Sequence, residues 1–241
     1  MVIRSTWDYP GRREEFLAWA ESLAHVLNRP EVLRWNTDKR YLEVLGGDAV
    51  PTDFLEPGAH FVAPDHAYVV KPSIGAGSIG AARYSAGDSS AASHISELHA
   101  AGQTVMVQPY VDEVDHRGET SLIYVGGEFS HAVRKEPILT PGGGPAAEGL
   151  YVEEHMSPID AAEEELVLGE RVFAALPFAR EELLYARIDV LPGPKVLEVE
   201  LTEPSLFIGY AEGAPERFAA AIAAASQRRR MSAENGPTTS Q

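Results

Sequence analysis

The chain has 241 residues, 44% of them hydrophobic and 23% charged, and its formal net charge is −16. This acidic balance disfavours binding to nucleic acids and anionic membranes, and no apolar run approaches the ~20 residues that a membrane-spanning helix needs. The sequence contains no cysteine, which excludes disulfides, thiolate zinc sites and cysteine nucleophiles. Charged residues from Arg4 onward also argue against a signal peptide. We therefore expect a cytoplasmic protein with neither a nucleic-acid nor a membrane partner.

The beginning of the chain predicts a short strand and two helices. Residues 2–3 are apolar, and residues 12–27 carry apolar side chains at helical spacing. The segment 28–30, Asn-Arg-Pro, ends this helix because proline cannot continue it. Residues 36–46 predict a second helix, with Asn36 or Thr37 as its N-cap.

A glycine-rich segment follows the strand predicted at 67–72. Residues 75–80 match the pattern G-x-G-x-x-G, which in dinucleotide-binding proteins opens a helix. Here the next residues, Ala-Ala-Arg-Tyr-Ser-Ala-Gly-Asp, break again too soon for a helix. A kinase loop places its lysine after the glycines, and a Walker loop needs Gly-Lys-Ser/Thr. Two interpretations stay open: a flap that covers phosphates above Lys71, or a plain turn beside a surface lysine.

The middle of the chain alternates between strands and helices, which indicates an α+β protein. A turn at Gly126-Gly127 joins two alternating runs and predicts a hairpin. In chain order we expect a strand at 81–84, a weak helix at 91–101, a strand at 105–111, hairpin strands at 120–125 and 128–134, a mobile loop at 137–150 and a helix at 158–176.

Two short runs, 184–191 and 195–201, alternate apolar and polar residues around a Pro-Gly-Pro turn. If an even number of residues closes the turn, pairing places four charged side chains on one face: Arg187, Asp189, Glu198 and Glu200. The other face is then apolar, with Ala186, Ile188, Val190, Leu197, Val199 and Leu201. Carboxylates on adjacent strands repel one another, so this face predicts a bound cation, and oxygen ligands suit Mg²⁺ or Mn²⁺. A salt-bridged surface hairpin is the alternative.

Several separated segments, taken in order, resemble the ATP-grasp enzymes. Within them the chain is most similar to the glutathione-synthetase-like and RimK-like branch, and to cyclo-ligases that close the ring of O-ureidoserine in cycloserine biosynthesis. The resemblance covers about residues 28–210 together with residues 4–10. The segments are Trp35–Lys39, Val69–Gly80, Gln108–Val111, Arg134, Arg187–Asp189 and Glu198–Pro204.

The resemblance implies an ATP-grasp fold, in which two α+β subdomains grip ATP. It implies a remnant of an N-terminal α/β domain at 1–36, a first subdomain at 37–111 and a second subdomain with a metal site at 112–225. The helix at 214–225 would close the second subdomain, and the polar tail at 226–241 is expected to be disordered. Because the family's N-terminal domain contains several strands, we expect most of it to be missing here and the helix at 12–27 to expose an apolar face.

The resemblance also assigns residues to the nucleotide. Lys39 and Lys71 would bind the phosphates, under a lid that contains Gly75, Gly77, Ser78 and Gly80. The hinge between the subdomains, Gln108–Val111, would read the adenine, with Gln108, Tyr110 and Val111 as its contacts. Asp112 or Asp115 would hold the ribose hydroxyls, and the choice between them stays open, with Asp115 as the expected ligand.

The same resemblance assigns the metal and the reacting groups. Asp189, Glu198 and Glu200 would hold Mg²⁺ or Mn²⁺, although the family commonly has asparagine where this chain has Glu200. Arg134 and Arg187 would face the transferred phosphoryl group, a role that suits a guanidinium. Candidates for substrate contact are Arg4, Ser5, Thr6, Asp8, Glu119, His131 and Glu203.

The implied activity is an ATP- and Mg²⁺-dependent ligase that joins a carboxylate to an amine. The carboxylate attacks the γ-phosphate, and the nitrogen then displaces phosphate from the acyl phosphate; ring closure within one small amino-acid derivative is one form of this reaction. Partners would be ATP, small carboxylate and amine substrates, and a second copy in a homodimer. Two alternatives stay open: a nucleotide-binding pseudoenzyme or regulatory module, and an NAD(P)-dependent oxidoreductase that relies on the glycine pattern alone.

Overall fold

The structure is a computed structural model that describes residues 1–139 and 155–234, with side chains up to residue 228. Two antiparallel sheets and the helices around them form the described part of the chain, so the α+β class expected from the sequence is confirmed. The α-helices are α1 (Arg13–Ser22), α2 (Pro30–Asn36), α3 (Leu42–Leu45), α4 (Ala91–Ala100), α5 (Val114–Arg117), α6 (Glu163–Ala175) and α7 (Ala214–Glu234). The strands are β1 (Asp53–Leu55), β2 (Tyr68–Pro72), β3 (Ala82–Tyr84), β4 (Val105–Pro109), β5 (Glu119–Val125), β6 (Glu128–Lys135), β7 (Met156–Ile159), β8 (Tyr185–Leu191) and β9 (Lys195–Glu200).

The first sheet has four strands in the order β1-β4-β2-β3. Successive side chains of β2 point to opposite sides of the sheet, so its two faces have different surroundings. Tyr68 and Val70 pack with Ile95 of α4 in one apolar cluster. Val69 and Lys71 point to the other side, towards the second sheet.

The second sheet has five strands in the order β7-β6-β5-β8-β9. One face packs on α6: Leu122, Ile188 and Val172 belong to the same buried cluster. Gly169 allows this helix to approach closely, since a Cβ there would lie 2.0 Å from the Tyr124 hydroxyl oxygen. On the opposite face, α7 covers one end with an apolar cluster. The remainder of that face is charged and looks towards the first sheet.

Several boundaries differ from those expected. The first helix ends at Ser22, because residues 23–27 turn back to pair beside residue 2. The helix expected at 36–46 is divided: α2 begins at Pro30, and a 3₁₀ turn at Lys39–Tyr41 precedes α3. Strand β7 occupies the start of the helix expected at 158–176, and β1 was not expected at all.

The end of the chain also differs from the expectation. Helix α7 extends to Glu234, so residues 226–234 are helical where a disordered tail was expected. The rest of that tail, and most of the loop expected at 137–150, lie outside the described residues. Among the helices that the structure describes, none is long and apolar enough to span a bilayer.

The outer edge of β9 is paired with side chains instead of a further strand. The Asn36 amide donates to the Val199 carbonyl at 2.6 Å, and its oxygen accepts the Leu201 N–H at 2.7 Å. The Tyr41 hydroxyl accepts the Val199 N–H at 2.9 Å. An unpaired strand edge leaves polar groups without partners. These two side chains therefore fix the strand that carries Glu198 and Glu200.

We predict that Asn36→Ala lowers the free energy of unfolding by about 2–4 kcal/mol, because it leaves buried backbone groups without partners. Urea denaturation followed by far-UV circular dichroism measures this loss. Gln227→Ala removes an exposed amide on α7, and it is expected to change the free energy of unfolding by less than about 0.5 kcal/mol. Equal effects for the two variants would contradict the proposed role of Asn36.

Candidate active site

A cavity of about 560 Å³ lies between the two sheets. Lys39 and Lys71 enter it from the side of the first sheet, and Asp189 and Glu198 enter it from the second. The structure thus brings together charges that are separated by up to 159 positions in the chain.

The hairpin of β8 and β9 pairs Arg187 with Glu200 and Asp189 with Glu198, which agrees with the expected face. A bulge then shifts the register, so that Val190 pairs with Val196. Leu197 is the extra residue of this bulge. It lines the cavity and does not join the apolar face that the alternation predicted.

Asp189 is the most completely bonded carboxylate of the site. Its Oδ1 accepts from the Ser121 hydroxyl at 2.6 Å and from Arg187 Nε at 2.9 Å. Its Oδ2 accepts from Arg187 Nη2 at 2.8 Å and from Lys135 Nζ at 3.2 Å. Burial by itself raises the pKa of Asp189, but Arg187 and Lys135 outweigh it and hold the pKa well below its usual range. The residue is therefore a fixed negative charge.

Glu198 and Glu200 each contact one cation and remain partly exposed to the cavity, with 23% of each side chain accessible. Lys39 Nζ lies 3.1 Å from Glu198 Oε1 and also donates to the Gly75 carbonyl at 2.7 Å. Arg187 pairs with Glu200 as well as with Asp189. Burial raises the pKa of Glu200 well above its usual range; Arg187 opposes this effect, and the negative charges of Glu198 and Asp189 add to it.

Lys135, which the sequence interpretation missed, reaches the site from the end of β6. It forms ion pairs with Glu119 and Asp189, and burial raises the pKa of Glu119 although Lys135 lowers it. Arg134 points to the other face of β6, donates to the Arg117 carbonyl and does not line the described part of the cavity. The expected contact by Arg134 is therefore not seen, because neighbouring strand residues face opposite ways.

Lys71 stands in the cavity wall beneath the glycine loop. No carboxylate of the described residues lies within 4.0 Å of its ammonium group. Burial lowers the pKa of Lys71 to about 8, because its charge is poorly hydrated there; Glu198 opposes this effect and Lys39 adds to it. A phosphate is the kind of anion that stabilises such an ammonium group.

The glycine loop is folded against the cavity. Residues 75–79 line it, and Gly80 lies outside the lining, where a Cβ would be 3.3 Å from Pro72 Cδ. Gly77 and Ser78 both have positive φ, a conformation that is easy for glycine and uncommon for serine. Strand β3 follows the loop, so the helix that a dinucleotide site requires at this point does not form.

The hinge Gln108–Val111 lines the cavity through all of its residues. The Gln108 side chain is buried and donates to the Thr52 hydroxyl at 2.8 Å. Asp115 instead accepts two hydrogen bonds from Arg83 and one from Tyr110, outside the cavity lining. Asp112 also pairs with Arg83, at 3.4 Å. The choice between Asp112 and Asp115 as a ribose ligand therefore stays open.

The substrate candidates are distributed over several places. Glu119 and Glu203 line the cavity, whereas Thr6 and Asp8 line a smaller cavity of about 330 Å³ beside α1. His131 is buried and does not line either cavity in the described part of the chain, and its Nε2 lies 3.0 Å from the Leu206 carbonyl oxygen.

Two further candidates, Arg4 and Ser5, do not line either of these cavities in the described part of the chain. The Arg4 guanidinium carbon lies 5.5 Å from the centre of the Phe218 ring. Ser5 has a positive φ of 57°. Residues that the sequence interpretation missed in the main cavity include Trp7, Tyr9, Lys135, Ser205 and Phe207. It also missed Ser121, whose hydroxyl donates to Asp189.

The donor set fits a magnesium ion at two of the three expected ligands. Glu198 and Glu200 present carboxylate oxygens to the cavity, which suits Mg²⁺. Asp189 already accepts four hydrogen bonds, the full capacity of a carboxylate, so it fits only if Arg187 or Lys135 moves. In the described ranges, no three His, Cys, Asp or Glu side chains converge as a ready metal site.

The fold and the paired charges between two lobes define a class of protein, and the comparisons agree. Residues 55–210 match the family model of the prokaryotic glutathione synthetase ATP-grasp domain. Residues 1–28 match that of the D-cycloserine synthetase DcsG N-terminal domain. The chain belongs to the ATP-grasp family of ligases.

Individual relatives place the chain more narrowly. It is 35% identical over 252 residues to the cycloserine biosynthesis protein DcsG of Streptomyces lavendulae, an alignment that covers 92% of this chain and 82% of that protein. The crystal structure of D-cycloserine synthetase DcsG matches with a TM-score of 0.80 and 32% identity, over 92% of this chain and 82% of that one. The D-alanine–D-alanine ligase of Bacillus anthracis, crystallised with ATP, matches with a TM-score of 0.64 at 17% identity, over 95% and 79% of the two chains, and shows the fold alone.

We predict that binding of Mg-ATP weakens above pH 8 through Lys71. A bound phosphate restores the ordinary protonation of this lysine, so binding above pH 8 requires proton uptake, and the affinity falls by up to about tenfold for each pH unit. Calorimetric titration between pH 7 and pH 9.5 measures the slope. Lys71→Arg keeps the charge throughout this range and should remove the slope.

The stability of the protein without ATP has the opposite dependence on pH. The folded pKa of Lys71, about 8, is lower than its ordinary value of 10.5. The unfolded chain therefore holds more protons between these values, and this lysine contributes stability that increases as pH rises through them. An identical pH slope of ATP affinity in wild type and Lys71→Arg would contradict the role given to Lys71.

Proposed function

We propose that the protein is an ATP- and Mg²⁺-dependent carboxylate–amine ligase that works through an acyl phosphate on a small amino-acid-like substrate. We further propose that the carboxylate and the attacking nitrogen belong to one molecule, so that the reaction closes a ring. The 35% identity to the cycloserine biosynthesis protein DcsG supports this form of the reaction. The observation that carries the proposal is the convergence of Lys39, Lys71 and Arg187 on one cavity with Glu198 and Glu200.

The charges of the cavity support a nucleotide accompanied by a divalent ion. Six acidic and four basic side chains line its described part, so the wall by itself is negative. ATP adds further negative charge, which Lys39 and Lys71 offset only in part. Glu198 and Glu200 would hold Mg²⁺, which neutralises charge on the phosphate oxygens when it is bound. Asp189 would join them only after losing one of its present donors.

The residues of the chain would act by positioning and by charge. Lys71 and the N–H groups of the glycine loop bind the phosphates, and the hinge backbone holds the adenine edge. Arg187 lines the cavity, where it is anchored by Asp189, pairs with Glu200 and donates to the Ser205 carbonyl at 3.4 Å. These groups would thereby stabilise negative charge that develops on the transferred phosphoryl group. The reaction needs no covalent nucleophile from the protein, and the chain has no cysteine.

The other expectations from the sequence have less support. A pseudoenzyme would keep the nucleotide pocket and lack turnover, and only an assay separates it from a ligase. The oxidoreductase alternative relied on the glycine pattern alone. A dinucleotide site also requires a helix after that pattern, and β3 stands there instead. The cytoplasmic location, the homodimer and the domain boundaries remain predictions.

The proposed ligase reaction predicts ADP release that depends on both an added carboxylate and a nitrogen nucleophile. We expect release from Mg-ATP when O-ureidoserine is supplied, since it carries both groups, and a background rate without it. A coupled ADP assay, with mass spectrometry of the products, measures this. Hydroxylamine should trap the acyl phosphate as a hydroxamate. Binding of Mg-ATP without any substrate-dependent ADP release from a panel of amino acids would favour the pseudoenzyme.

Lys135 and Arg134 are adjacent basic residues on opposite faces of β6. A variant of each therefore tests which face of the strand serves the active site. We predict that Lys135→Met lowers kcat/KM by about 100-fold or more, because Glu119 loses its cation and Asp189 loses one of the two cations that balance its charge. Arg134→Met should change kcat/KM by less than about threefold. The same ADP assay applies, after melting temperatures confirm that both variants are folded. A larger loss of kcat/KM for Arg134→Met than for Lys135→Met would contradict the assignment of Lys135 to the active site.

A further inference from the structure

One carboxylate in the cavity has no task in binding the nucleotide. Glu203 is 5% exposed and lines the cavity beyond the end of β9. Its carboxylate forms no ion pair with any side chain that the structure describes. Burying a carboxylate without a cation is costly, so the residue requires a compensating charge or proton.

Aromatic side chains from two distant segments of the chain line the same cavity as this carboxylate. The Trp7 indole N–H donates to the Glu203 carbonyl at 3.4 Å, which joins the N-terminal segment to the segment after β9. Tyr9 and Phe207 line the same cavity. Burial raises the pKa of the Tyr9 hydroxyl, and the negative charge of Glu203 raises it further. The two groups therefore interact electrostatically. Phe207 already has the Arg187 guanidinium near its ring, with 5.5 Å from the guanidinium carbon to the ring centre.

The side chains in the part of the cavity near Glu203 favour the binding of a positively charged group. A carboxylate repels phosphates and carboxylates, whereas aromatic faces attract ammonium groups. The phosphates of ATP have their own cations in Lys39 and Lys71. The nearby cation Arg187 is engaged by Asp189 and Glu200. The missing positive charge is therefore expected from the second substrate.

We propose that Glu203, with Trp7, Tyr9 and Phe207, forms a subsite for the free ammonium group of an amino-acid substrate. The carboxylate of that substrate would then point towards Arg187 and the transferred phosphate. This inference rests on the proposed function and narrows it, because it selects zwitterionic amino-acid derivatives over N-acylated ones and over simple carboxylic acids. Glu203 is assigned here to specificity, and the phosphoryl transfer is left to the groups described above.

The test compares two substrates on two proteins. The substrates are O-ureidoserine, as both enantiomers, and its analogue with hydrogen in place of the α-ammonium group. The proteins are wild type and Glu203→Gln, which keeps the size of the side chain and removes its charge. Glu164→Gln is the matched control, because Glu164 is exposed on α6, which covers the other face of the second sheet.

We expect Glu203→Gln to raise KM for O-ureidoserine by about 10- to 100-fold, since a hydrogen bond between charged groups is lost. KM for ATP and the melting temperature in the presence of Mg-ATP should stay near those of wild type. The analogue without the ammonium group should be poor on wild type and should not become worse on Glu203→Gln, because the two changes remove the same interaction.

Other outcomes overturn the subsite. Equal losses on both substrates, carried by kcat with a changed pH profile, would make Glu203 a proton acceptor. An increased Mg²⁺ requirement with both substrates would make it a metal ligand. Equal wild-type turnover of O-ureidoserine and of the analogue without the ammonium group would reject the subsite and leave the ligase proposal intact.

The subsite is also measurable if the ligase reaction fails. Calorimetric binding of O-ureidoserine and its analogue, in the presence of a non-hydrolysable ATP analogue and Mg²⁺, needs no turnover. Tighter binding of O-ureidoserine on wild type, lost in Glu203→Gln, would support the subsite even in a protein that releases no ADP. Equal binding of the two compounds would reject it.

Discussion

Two charged side chains on one strand, Arg187 and Asp189, hold each other inside the protein, and much of the site depends on their pairing. A buried ion pair is tolerated when its remaining hydrogen-bonding groups are satisfied. Asp189 meets this condition with four donors that come from three different strands. Any slip in the register of β5, β6 or β8 would leave one of these charges unpaired. The network therefore couples the pairing of the sheet to the geometry of the cavity.

The face of the second sheet that carries this network is apolar at one end and charged at the other. At one end Ile123 and Val133 pack under α7 in an apolar cluster. At the other end Glu119, Ser121 and Lys135 belong to the charged network. Strand β9 borders the second end, and its free edge is held by Asn36 and Tyr41. An edge strand fixed in this way can present Glu198 and Glu200 with β8 as its one strand partner in the sheet.

Lys39 connects the two lobes directly. Its ammonium group contacts the Glu198 carboxylate of the second sheet and the Gly75 carbonyl of the glycine loop. A ligand that enters between these groups must therefore engage both lobes at once, as the proposed triphosphate with its metal would. The same reasoning extends to the second substrate. Glu203 and the aromatic side chains that line the cavity with it come from segments before α1 and after β9. Two segments that are far apart in the sequence therefore meet where that substrate is proposed to bind.

The sequence alone determined the elements whose signals are local. The alternating hairpin with its charged face, the glycine loop after β2 and the lysines beside it were all predictable, because strand period and turn composition depend only on neighbouring residues. The family followed from the order and spacing of these segments. The sequence did not determine the bulge at Leu197, which moves one apolar residue into the cavity.

The tertiary structure alone decided which charges meet. Arg134 and Lys135 are adjacent in the sequence and equally basic, yet only Lys135 contacts Asp189, because the pairing of β5 with β6 and β8 decides which face looks into the cavity. Asp115 carries a suitable carboxylate for a ribose but is engaged by Arg83, a residue 32 positions away. Trp7 and Glu203 are 196 positions apart, and a hydrogen bond joins them. Such pairings depend on long-range packing, which leaves no periodic trace in a single sequence.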